Sequence, residues 1–377
     1  MREQLKKGPV VLYEQMRIKI LALIQELGLK PHDPVPSEVE LARMFGVSSR
    51  TSKEALLQLA QEGIVYRMPR RGTFLARLPG ESKGAETETS HVRHANGRRA
   101  VGVLIPDPDE YVGRVLQSLT EGLVGSGFEV LVRFTSGLPE QEEELARELL
   151  DVYRVEGLIV YPGRHETMSE SIIGLHSKRF PIVIVDRAFR ELHLPSVYHD
   201  HRVGAMELTA YLMSRGHRRI GFVAEEFSGM MSREDRFSGY VQAFLDASCN
   251  LDLGLVLKLE SQRGVSREDK TQLDRFIENN RDMTAIVCSN DYIALSVMQS
   301  AYRLAIAVPD ALSIVGFTDF SFAELLPVPL TTIEKPAAEL GAAAAAMLTE
   351  LMADPASRPS SRIIPTRLKE RDSVRSI

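Results

Sequence analysis

Seven short, continuous apolar runs recur between residues 101 and 316, and they restrict the fold of this chain more than any other feature. They are VGVLI (101–105), FEVLV (128–132), GLIV (157–160), PIVIV (181–185), IGFV (220–223), TAIVC (284–288) and LSIVG (312–316). Helical patterns lie between them, for example at 139–152, 202–215, 266–279 and 290–303. Short buried strands that alternate with helices are typical of parallel sheets covered on both faces. We therefore predict an α/β fold for this region.

The first 78 residues follow a different pattern, with three helical segments and no apolar run of this kind. The first segment carries an apolar stripe that ends at Gly28 and consists of Leu12, Met16, Ile20, Leu23, Ile24 and Leu27. After a loop marked by Pro34 and Pro36, Ser37 and Glu40 fit a capping box at the start of a second helix. We expect the third helix to bury Ala55, Leu56 and Leu59.

A tight turn at Gly46 separates the second and third helices, and two short helices joined in this way predict a helix-turn-helix. Strands at 64–66 and 73–75, joined by the basic segment MPRRG (68–72), would add a wing. Residues 1–78 carry 13 Lys/Arg and 8 Asp/Glu, a net charge of +5, whereas the rest of the chain carries −10. A basic head on an acidic body indicates that only the head binds a polyanion.

The first turn of the third helix fits the DNA major groove, and the basic hairpin suits phosphates or the minor groove. We predict DNA contacts from Ser37, Ser48, Ser49, Arg50, Thr51, Lys53, Arg67, Arg70, Arg71 and Gly72. Residues 10–76 resemble the GntR family of winged-helix regulators through Pro36-Ser37-Glu38, Phe45-Gly46-Val47-Ser48, Glu62-Gly63-Ile64 and Gly72-Thr73-Phe74. The chain departs from the family pattern at Val39, Ser49, Ser52 and Arg70.

Residues 79–98 contain almost no large apolar side chain, so we expect a flexible linker between a head at 1–78 and a body at 99–377. The paired histidines of HVRH (91–94) lie in this segment, and Cys249 and Cys288 have no metal-ligand spacing, so we expect no metal. No apolar run reaches the ~18 residues that cross a bilayer. The first residues, MREQLKKGPV, lack the apolar stretch of a signal peptide, so a cytoplasmic location is expected.

Polar residues follow the predicted strands of the body, where parallel sheets bind ligands. Asp107, Tyr161, Asp186, Arg187, Asn290, Asp291, Thr318 and Asp319 occupy such positions. Carboxylates, amides and arginines that converge on a cleft suit a polyhydroxylated ligand. No glycine-rich phosphate loop or nucleophile elbow is present in the sequence, so we predict neither a cofactor nor catalysis.

The body resembles the sugar-sensing domain of the LacI/GalR repressors over residues 99–372. The resemblance rests on stretches such as PIVIVDR (181–187), LMSRGHRRIG (212–221), RFSGY (236–240), NDYIA (290–294) and PLTTI (329–333). It implies two α/β subdomains that clamp a sugar-like effector, and a dimer formed through the body. It also implies that Arg236 and Asn290 contact the effector and that Asp291 caps a helix.

The full set of predicted effector-binding residues is Asp107, Tyr111, Tyr161, Asp186, Arg187, Arg236, Arg263, Asn290, Asp319 and Phe320. Since the chain has no Trp, any aromatic platform must come from Tyr or Phe, for example Tyr111, Tyr161 or Phe320. Arg263 in the cleft would favour an acidic or phosphorylated ligand.

These features together predict a dimeric transcriptional repressor that binds two-fold-symmetric operator DNA and responds to a sugar-like effector. A winged head on such a body is the arrangement of sugar-responsive repressors such as the arabinose repressors. Two alternatives remain open. One is a constitutive DNA-binding regulator whose cleft does not respond to any ligand, and the other is an enzyme fused to a winged helix.

Overall fold

The computed structural model describes residues 12–30, 33–61, 64–68, 72–76, 99–163, 169–189, 193–226, 230–259, 267–354, 357, 359 and 361–377. The chain divides into two compact units, residues 1–89 and 90–377. The predicted linker, 79–98, lies outside the described residues. Within the described ranges, no helix is both long enough and apolar enough to cross a membrane.

The head contains three helices and a three-stranded antiparallel sheet. In chain order these are α1 (Leu12–Glu26), β1 (Pro34–Val35), α2 (Glu38–Phe45), α3 (Ser49–Gln61), β2 (Val65–Met68) and β3 (Gly72–Leu75). The sheet order is β1-β3-β2. Pro34 was predicted to lie in a loop, and this was wrong, because Pro34 and Val35 pair with Phe74 and Thr73 of β3. A proline is tolerated there because β1 is an edge strand, where no ladder N–H is required.

The helices of the head pack through the predicted stripes. Met16, Ile20, Leu23 and Ile24 of α1 are buried together with Ala55, Leu56 and Leu59 of α3. Leu27 was predicted to join them, but it is 53% exposed. The reason is that α1 ends at Glu26 and Gly28 adopts a left-handed φ of 59°, which turns the chain away from the apolar face.

The body begins with an all-parallel sheet. Its elements are β4 (Arg99–Ile105), α4 (Glu110–Gly125), β5 (Phe128–Phe134), α5 (Pro139–Asp151), β6 (Leu158–Val160), α6 (Glu170–Ser177), β7 (Ile182–Val185) and β8 (Ser196–His199). We call this part the first lobe.

The chain then builds a second sheet, in what we call the second lobe. Its elements are α7 (His201–Ser214), β9 (Ile220–Glu225), α8 (Met231–Asp246), β10 (Val256–Leu259), α9 (Arg267–Asn279), β11 (Ala285–Cys288), α10 (Asp291–Arg303), β12 (Ser313–Thr318) and β13 (Thr331–Glu334), with 3₁₀ turns at Leu253–Leu255 and Ser321–Glu324.

The chain crosses between the lobes three times. It returns to the first lobe as α11 (Ala337–Ala353) and β14 (Arg362–Ile364), and it ends in the second lobe with β15 (Arg367–Lys369). The sheet orders are β14-β8-β7-β6-β4-β5 and β10-β9-β11-β12-β13-β15, in which only β15 is antiparallel to its neighbour. The crossings lie at Asp200, at Lys335-Pro336 and at Pro365-Thr366. Side chains at these points therefore lie between the two lobes.

The predicted α/β fold class is confirmed, and all seven apolar runs form strands. The runs did not reveal β8, β10, β13, β14 and β15. These strands are only three or four residues long and mix polar with apolar residues, for example SVYH, TTIE and RLK. Several lie at or next to a sheet edge, where one face or one side of the strand need not be apolar.

Candidate functional site

The start of α3 presents polar groups to solvent. Ser48 precedes the helix, and its Oγ accepts the Thr51 N–H at 3.2 Å and lies 2.8 Å from Thr51 Oγ1. Ser49, Arg50 and Lys53 are exposed. The free amides and positive dipole end of a helix N-terminus favour an anion, and the two basic side chains add to that preference.

Ser37 has a structural role in the head. Its N–H donates to Glu40 Oε2 at 2.8 Å, and its hydroxyl accepts the Glu40 N–H at 3.3 Å, so the predicted capping box of α2 is present. Ser37 nevertheless remains exposed, so its predicted DNA contact is compatible with this position and stays a prediction.

Ser52 is one of the positions at which the head departs from the pattern of the family it resembles, and the structure gives it a function in packing. The side chain is fully buried, and its hydroxyl donates to the Glu38 carbonyl at 2.7 Å. This bond ties α3 to the first turn of α2 and so fixes the angle between the two helices.

The wing is formed by β2 and β3, whose outer face carries Tyr66 and Phe74 stacked with ring centroids 5.7 Å apart. Gly72 opens β3 with a φ of 113°, a backbone conformation that favours glycine. Arg67 lies on β2 opposite Thr73. The Arg67 side chain, Arg70 and Arg71 lie outside the described residues, so their predicted DNA contacts stay predictions.

A cleft lies between the two lobes of the body. Its larger cavity has a volume of about 540 Å³, and an adjoining cavity on the first-lobe side has a volume of about 280 Å³. Eight predicted effector residues line one or both cavities, namely Asp107, Tyr111, Tyr161, Asp186, Arg187, Arg236, Asn290 and Phe320. The third predicted arginine of the cleft, Arg263, lies outside the described residues.

Asp186 is the centre of a buried ionic network at the first-lobe side of the cleft. Lys335 Nζ lies 2.8 Å from Asp186 Oδ1, and the Tyr111 hydroxyl donates to the same oxygen at 2.9 Å. Burial opposes ionisation, but the Lys335 ammonium holds the pKa of Asp186 well below its usual range. Asp186 also has a left-handed φ of 69°, which indicates backbone strain at this site.

Two histidines flank this network at the first crossing. His199 Nε2 lies 2.9 Å from the Tyr111 hydroxyl, and His201 Nδ1 accepts from Arg236 Nε at 3.4 Å. Burial lowers the pKa of His199 to about 3 and that of His201 well below its usual range. Both rings are therefore neutral near pH 7 and act as hydrogen-bonding groups.

Arg236, from α8, extends the network into the second lobe. Its guanidinium donates to the Ser289 carbonyl at 2.5 Å and lies 4.4 Å from the centre of the Phe317 ring. Burial lowers the pKa of Arg236, and the carboxylates of Asp186 and Glu225 oppose that shift. Since a guanidinium stays charged in proteins, Arg236 is a cation fixed between acidic groups of both lobes.

The family comparisons match both parts of this arrangement. Residues 12–75 match the model described as bacterial regulatory proteins of the gntR family, and residues 209–374 match the periplasmic binding protein-like domain. The chain therefore combines a gntR-type domain in its head with a periplasmic-binding-protein-like domain in its body.

Relatives and solved structures agree with this combination of domains. The arabinose metabolism transcriptional repressor of Geobacillus stearothermophilus is 27% identical over 356 residues, which cover 92% of this chain and 93% of that protein. The transcription regulator GntR from Chromobacterium violaceum is 28% identical with a TM-score of 0.63, covering 73% of this chain and 99% of that one. A LacI-family regulatory protein from Chloroflexus aggregans shares the fold, with a TM-score of 0.66, 22% identity, and coverage of 73% and 98%.

In the cleft, the structure shows roles for Asn290 and Asp291 that differ from the predicted ones. Asn290 was expected to contact the effector and Asp291 to cap α10, but it is Asn290 Oδ1 that accepts the Ile293 N–H at 2.9 Å. Asp291 is fully buried and accepts from Thr332 Oγ1 at 2.6 Å and from the Phe320 N–H at 2.9 Å. Burial raises the pKa of Asp291 to about 6. Asn290 still lines the larger cavity.

Asp319, for which an effector contact was predicted, lies outside both cavities. Its Oδ1 lies 2.8 Å from Arg371 NH1, an arginine near the end of the chain. The left-handed φ of 63° at Asp319 turns the side chain away from the cleft. Phe320, the next residue, lines the larger cavity and packs 4.8 Å from the ring of Tyr292, so it can supply an aromatic wall.

Arg187 lines the smaller cavity, which residues of both lobes enclose. Its NH2 donates to the Gly163 carbonyl at 2.5 Å, and its guanidinium lies 5.0 Å from the centre of the Phe189 ring. The side chain is buried and its pKa is lowered by that burial. These contacts fix Arg187 in place before any ligand binds.

Several cavity residues were not predicted, notably Asp109, Glu225, Arg233 and Lys335. Glu225 was missed because the apolar run ended the predicted strand at 223, whereas β9 extends to Glu225. Lys335 was missed because the polar sequence TTIE did not predict β13. Had this strand been predicted, the residue after its end would have been a candidate. The pair His199 and His201, on either side of a crossing, was also missed, although its spacing is visible in the sequence.

Among the described residues, no group of three or more His, Cys, Asp or Glu could hold a metal ion. Cys288 is buried and Cys249 is half-buried, and both are free thiols. The proteins that match this chain carry the names of transcriptional regulators, in agreement with the prediction that the chain is not an enzyme.

Proposed function

We propose that this regulator is a cytoplasmic repressor that binds operator DNA through α3 and the wing and is controlled by a sugar or sugar-derived effector in the interlobe cleft. The observation that carries the proposal is the cavity of about 540 Å³ lined by charged side chains from both lobes. A ligand that contacts both lobes favours one arrangement of them over another, and this difference is the thermodynamic requirement for control.

For DNA binding, we assign base or phosphate contacts to Ser49, Arg50 and Lys53, which project from the first turn of α3. Ser48 and Thr51 order that turn, and Arg67, Arg70, Arg71 and Gly72 belong to the wing. Arginine can donate two hydrogen bonds to guanine in the major groove, so Arg50 is the best candidate for sequence recognition.

For the effector, the cavity offers both donors and acceptors and an aromatic wall. Carboxylates from Asp107, Asp186 and Glu225 can accept from hydroxyls, while Arg236 and Asn290 can donate. The related repressor of arabinose metabolism supports a carbohydrate as the ligand class. An alternative, a regulator with a non-responsive cleft, predicts that no such ligand changes operator affinity.

We further propose that the regulator acts as a homodimer through the second lobe. An apolar groove with a volume of about 510 Å³ is formed by α10 and the chain after it, including Leu295, Met298, Tyr302 and Leu326. Tyr302, at the edge of this groove, is 87% exposed, and contiguous exposed apolar surface of this kind is typical of interaction sites. A second copy would cover this groove and would place two heads on a two-fold operator.

The proposal is tested by measuring binding of the full-length protein to its own upstream DNA over a range of salt concentrations, with and without candidate sugars. We expect a steep loss of affinity with salt, because phosphate contacts release counterions. We also expect at least one sugar to change the affinity about tenfold or more. A salt slope near zero would contradict DNA binding through basic residues, and a full panel of sugars without effect would favour the non-responsive alternative.

A further inference from the structure

We propose that Glu225 determines the chemical class of the effector: it is the second-lobe carboxylate that accepts hydroxyls of an uncharged ligand and disfavours an anionic one. The inference rests on the proposed function, since it concerns the ligand of the same cleft. It narrows a sugar or sugar-derived effector to a neutral polyhydroxylated molecule, in contrast to a sugar phosphate or sugar acid.

Glu225 is held in position by three neighbouring side chains. The Asn290 amide nitrogen lies 3.2 Å and 3.3 Å from its two carboxylate oxygens, and the Ser289 hydroxyl donates at 3.2 Å. Arg233 NH2 lies 3.6 Å from Glu225 Oε1. The Glu225 side chain keeps 13% of its surface exposed, and that surface faces the larger cavity. A carboxylate fixed in this way is ready to accept ligand hydroxyls without reorganisation.

The opposite lobe presents a second fixed carboxylate to the same cavity. Asp186 is held by Lys335 and Tyr111, as described above, and the charged Arg236 is close to both acids. A polyhydroxylated ligand can donate to a carboxylate on each lobe, and so it gains more from a closed cleft than from an open one.

A ligand that carries a carboxylate or phosphate would need a cation at this cavity to neutralise its charge. The described cations at this cavity already bind protein acceptors: Lys335 pairs with Asp186, Arg233 with Glu225, and Arg236 with the Ser289 carbonyl. An anion that pairs with Lys335 or Arg233 would compete with the carboxylate already bound there, and that acid would remain next to the anion in a site of low dielectric. This arrangement favours a ligand without a negative charge.

A purely structural role for Glu225 is the competing explanation, because it could serve only to orient the capping residue Asn290. The variant Glu225→Gln separates the two. Glutamine retains the size and one carbonyl acceptor, but it removes the negative charge that acts against an anionic ligand. Glu226→Gln is a matched control, because Glu226 is the adjacent exposed residue and lies outside the cavity.

The experiment measures dissociation constants of the full-length wild type and both variants by calorimetry for matched pairs of probes. Suitable pairs are D-ribose with ribose 5-phosphate, D-galactose with D-galacturonate, L-arabinose with L-arabinonate, and cytidine with cytidine 5′-monophosphate. We expect the wild type and Glu226→Gln to bind the neutral member of one pair at least 30-fold more tightly than its anionic partner. For Glu225→Gln we expect this ratio to fall at least tenfold.

Two results would overturn the inference while the proposed function stands. One is a wild type that binds the anionic member more tightly and releases DNA in response to it. The other is a Glu225→Gln ratio within twofold of the wild type, which would leave Glu225 a structural role only. Failure of every probe to bind the wild type would overturn both the inference and the proposed effector class.

Discussion

The N-terminal end of α3 in the head and the cleft of the body are both polar sites, but the hydrogen bonds that order them differ in range. In the head, Ser37 bonds to Glu40 and Ser48 to Thr51, so that each polar group is ordered by a residue three positions away. In the cleft, Tyr111 bonds to Asp186 across 75 positions, and Asn290 bonds to Glu225 across 65. The polar groups at the starts of α2 and α3 are therefore ordered locally, whereas those of the cleft are ordered by residues that are distant in sequence.

This difference has consequences for mutation. Exposed groups at the start of α3 can be removed with little effect on stability, because they have few buried partners. Charged groups in the cleft cannot, since removal of one partner leaves the other buried without compensation. Binding and stability should thus be separable in the head and coupled in the cleft.

The largest effect is expected from breaking the Asp186–Lys335 ion pair. Lys335 is 6% exposed, so Lys335→Ala leaves Asp186 with a buried, poorly compensated charge. We expect the free energy of unfolding of the body to fall by about 3–5 kcal/mol. Scanning calorimetry of the full chain would detect this as a lower melting temperature for the body.

Two further variants test whether the unpaired charge of Asp186 causes the loss of stability in Lys335→Ala. The double variant Asp186→Asn/Lys335→Met removes both charges and should recover most of the lost stability. Lys178→Ala changes an exposed lysine of the same lobe and should have almost no effect. A double variant as unstable as Lys335→Ala would show that packing, and not the ion pair, explains the loss.

The next largest effect is the dependence of stability on pH that Asp291 is expected to cause. Its pKa is raised to about 6 by burial, above the usual value near 4, so its contribution to stability is fully present below about pH 4 and is lost as the pH rises through about 6. A shift of this size corresponds to about 2–3 kcal/mol. Asp291→Asn should remove that dependence, because an amide does not ionise between pH 4 and pH 7. The amide can also donate to Thr332 Oγ1 and accept the Phe320 N–H, so the local hydrogen bonds are retained.

The measurement is urea unfolding of the wild type and Asp291→Asn at several values between pH 4 and pH 7. The stability of the variant relative to the wild type should increase across this range. Asp310→Asn, at an exposed position of the same lobe, serves as the control and should show no such trend. A constant difference between wild type and Asp291→Asn would show that Asp291 does not titrate in this range.

A smaller effect is expected at Arg50, where binding should change without stability. Arg50→Ala should weaken binding to the preferred operator by about 1–3 kcal/mol and relax the preference at one base pair. The same change in the body, Arg275→Ala, removes an exposed arginine from α9 and should leave DNA affinity unchanged. Fluorescence anisotropy with operator variants gives both quantities. Equal weakening on all sequences would assign Arg50 to phosphates.

The smallest effect is expected from two serines of the same helix. Ser52→Ala removes the buried bond to the Glu38 carbonyl and should lower the stability of the head by about 0.5–1.5 kcal/mol. Ser49→Ala removes an exposed hydroxyl and should affect DNA binding without a change in stability. If Ser49→Ala destabilised the head as much as Ser52→Ala, the separation of binding from stability in the head would be wrong.

The same contrast between local and long-range contacts explains how well the sequence predicts each region. Helix α3 could be predicted because its cap, turn and stripe are set by neighbours in sequence, although the role of Ser52 depends on Glu38 in another helix. In the cleft, the ends of apolar strands correctly indicated Asp107, Tyr161, Asp186 and Asn290 as lining residues.

The remaining differences from prediction in the cleft have one physical origin. Asp319 follows a strand as the rule requires, but Arg371 from the end of the chain turns it away. Lys335 follows β13 and Glu225 is the last residue of β9. Because these strand ends contain polar residues, a search for apolar runs does not find them. Which side chain faces the cavity is decided by partners that are distant in sequence, and hydrophobic periodicity does not report these.

The central claim, that a ligand in the cleft controls DNA binding, is tested most directly at Arg236. Operator affinity should be measured for the wild type and Arg236→Ala, each with and without the sugar that binds the wild type. The wild type should change its affinity about tenfold or more on addition of the sugar. Because loss of this buried cation should also destabilise the body, Arg236→Ala is measured below its own melting temperature, where it should not respond while its sugar-free affinity stays within about twofold of the wild type. A response of Arg236→Ala equal to that of the wild type would contradict control through this cleft.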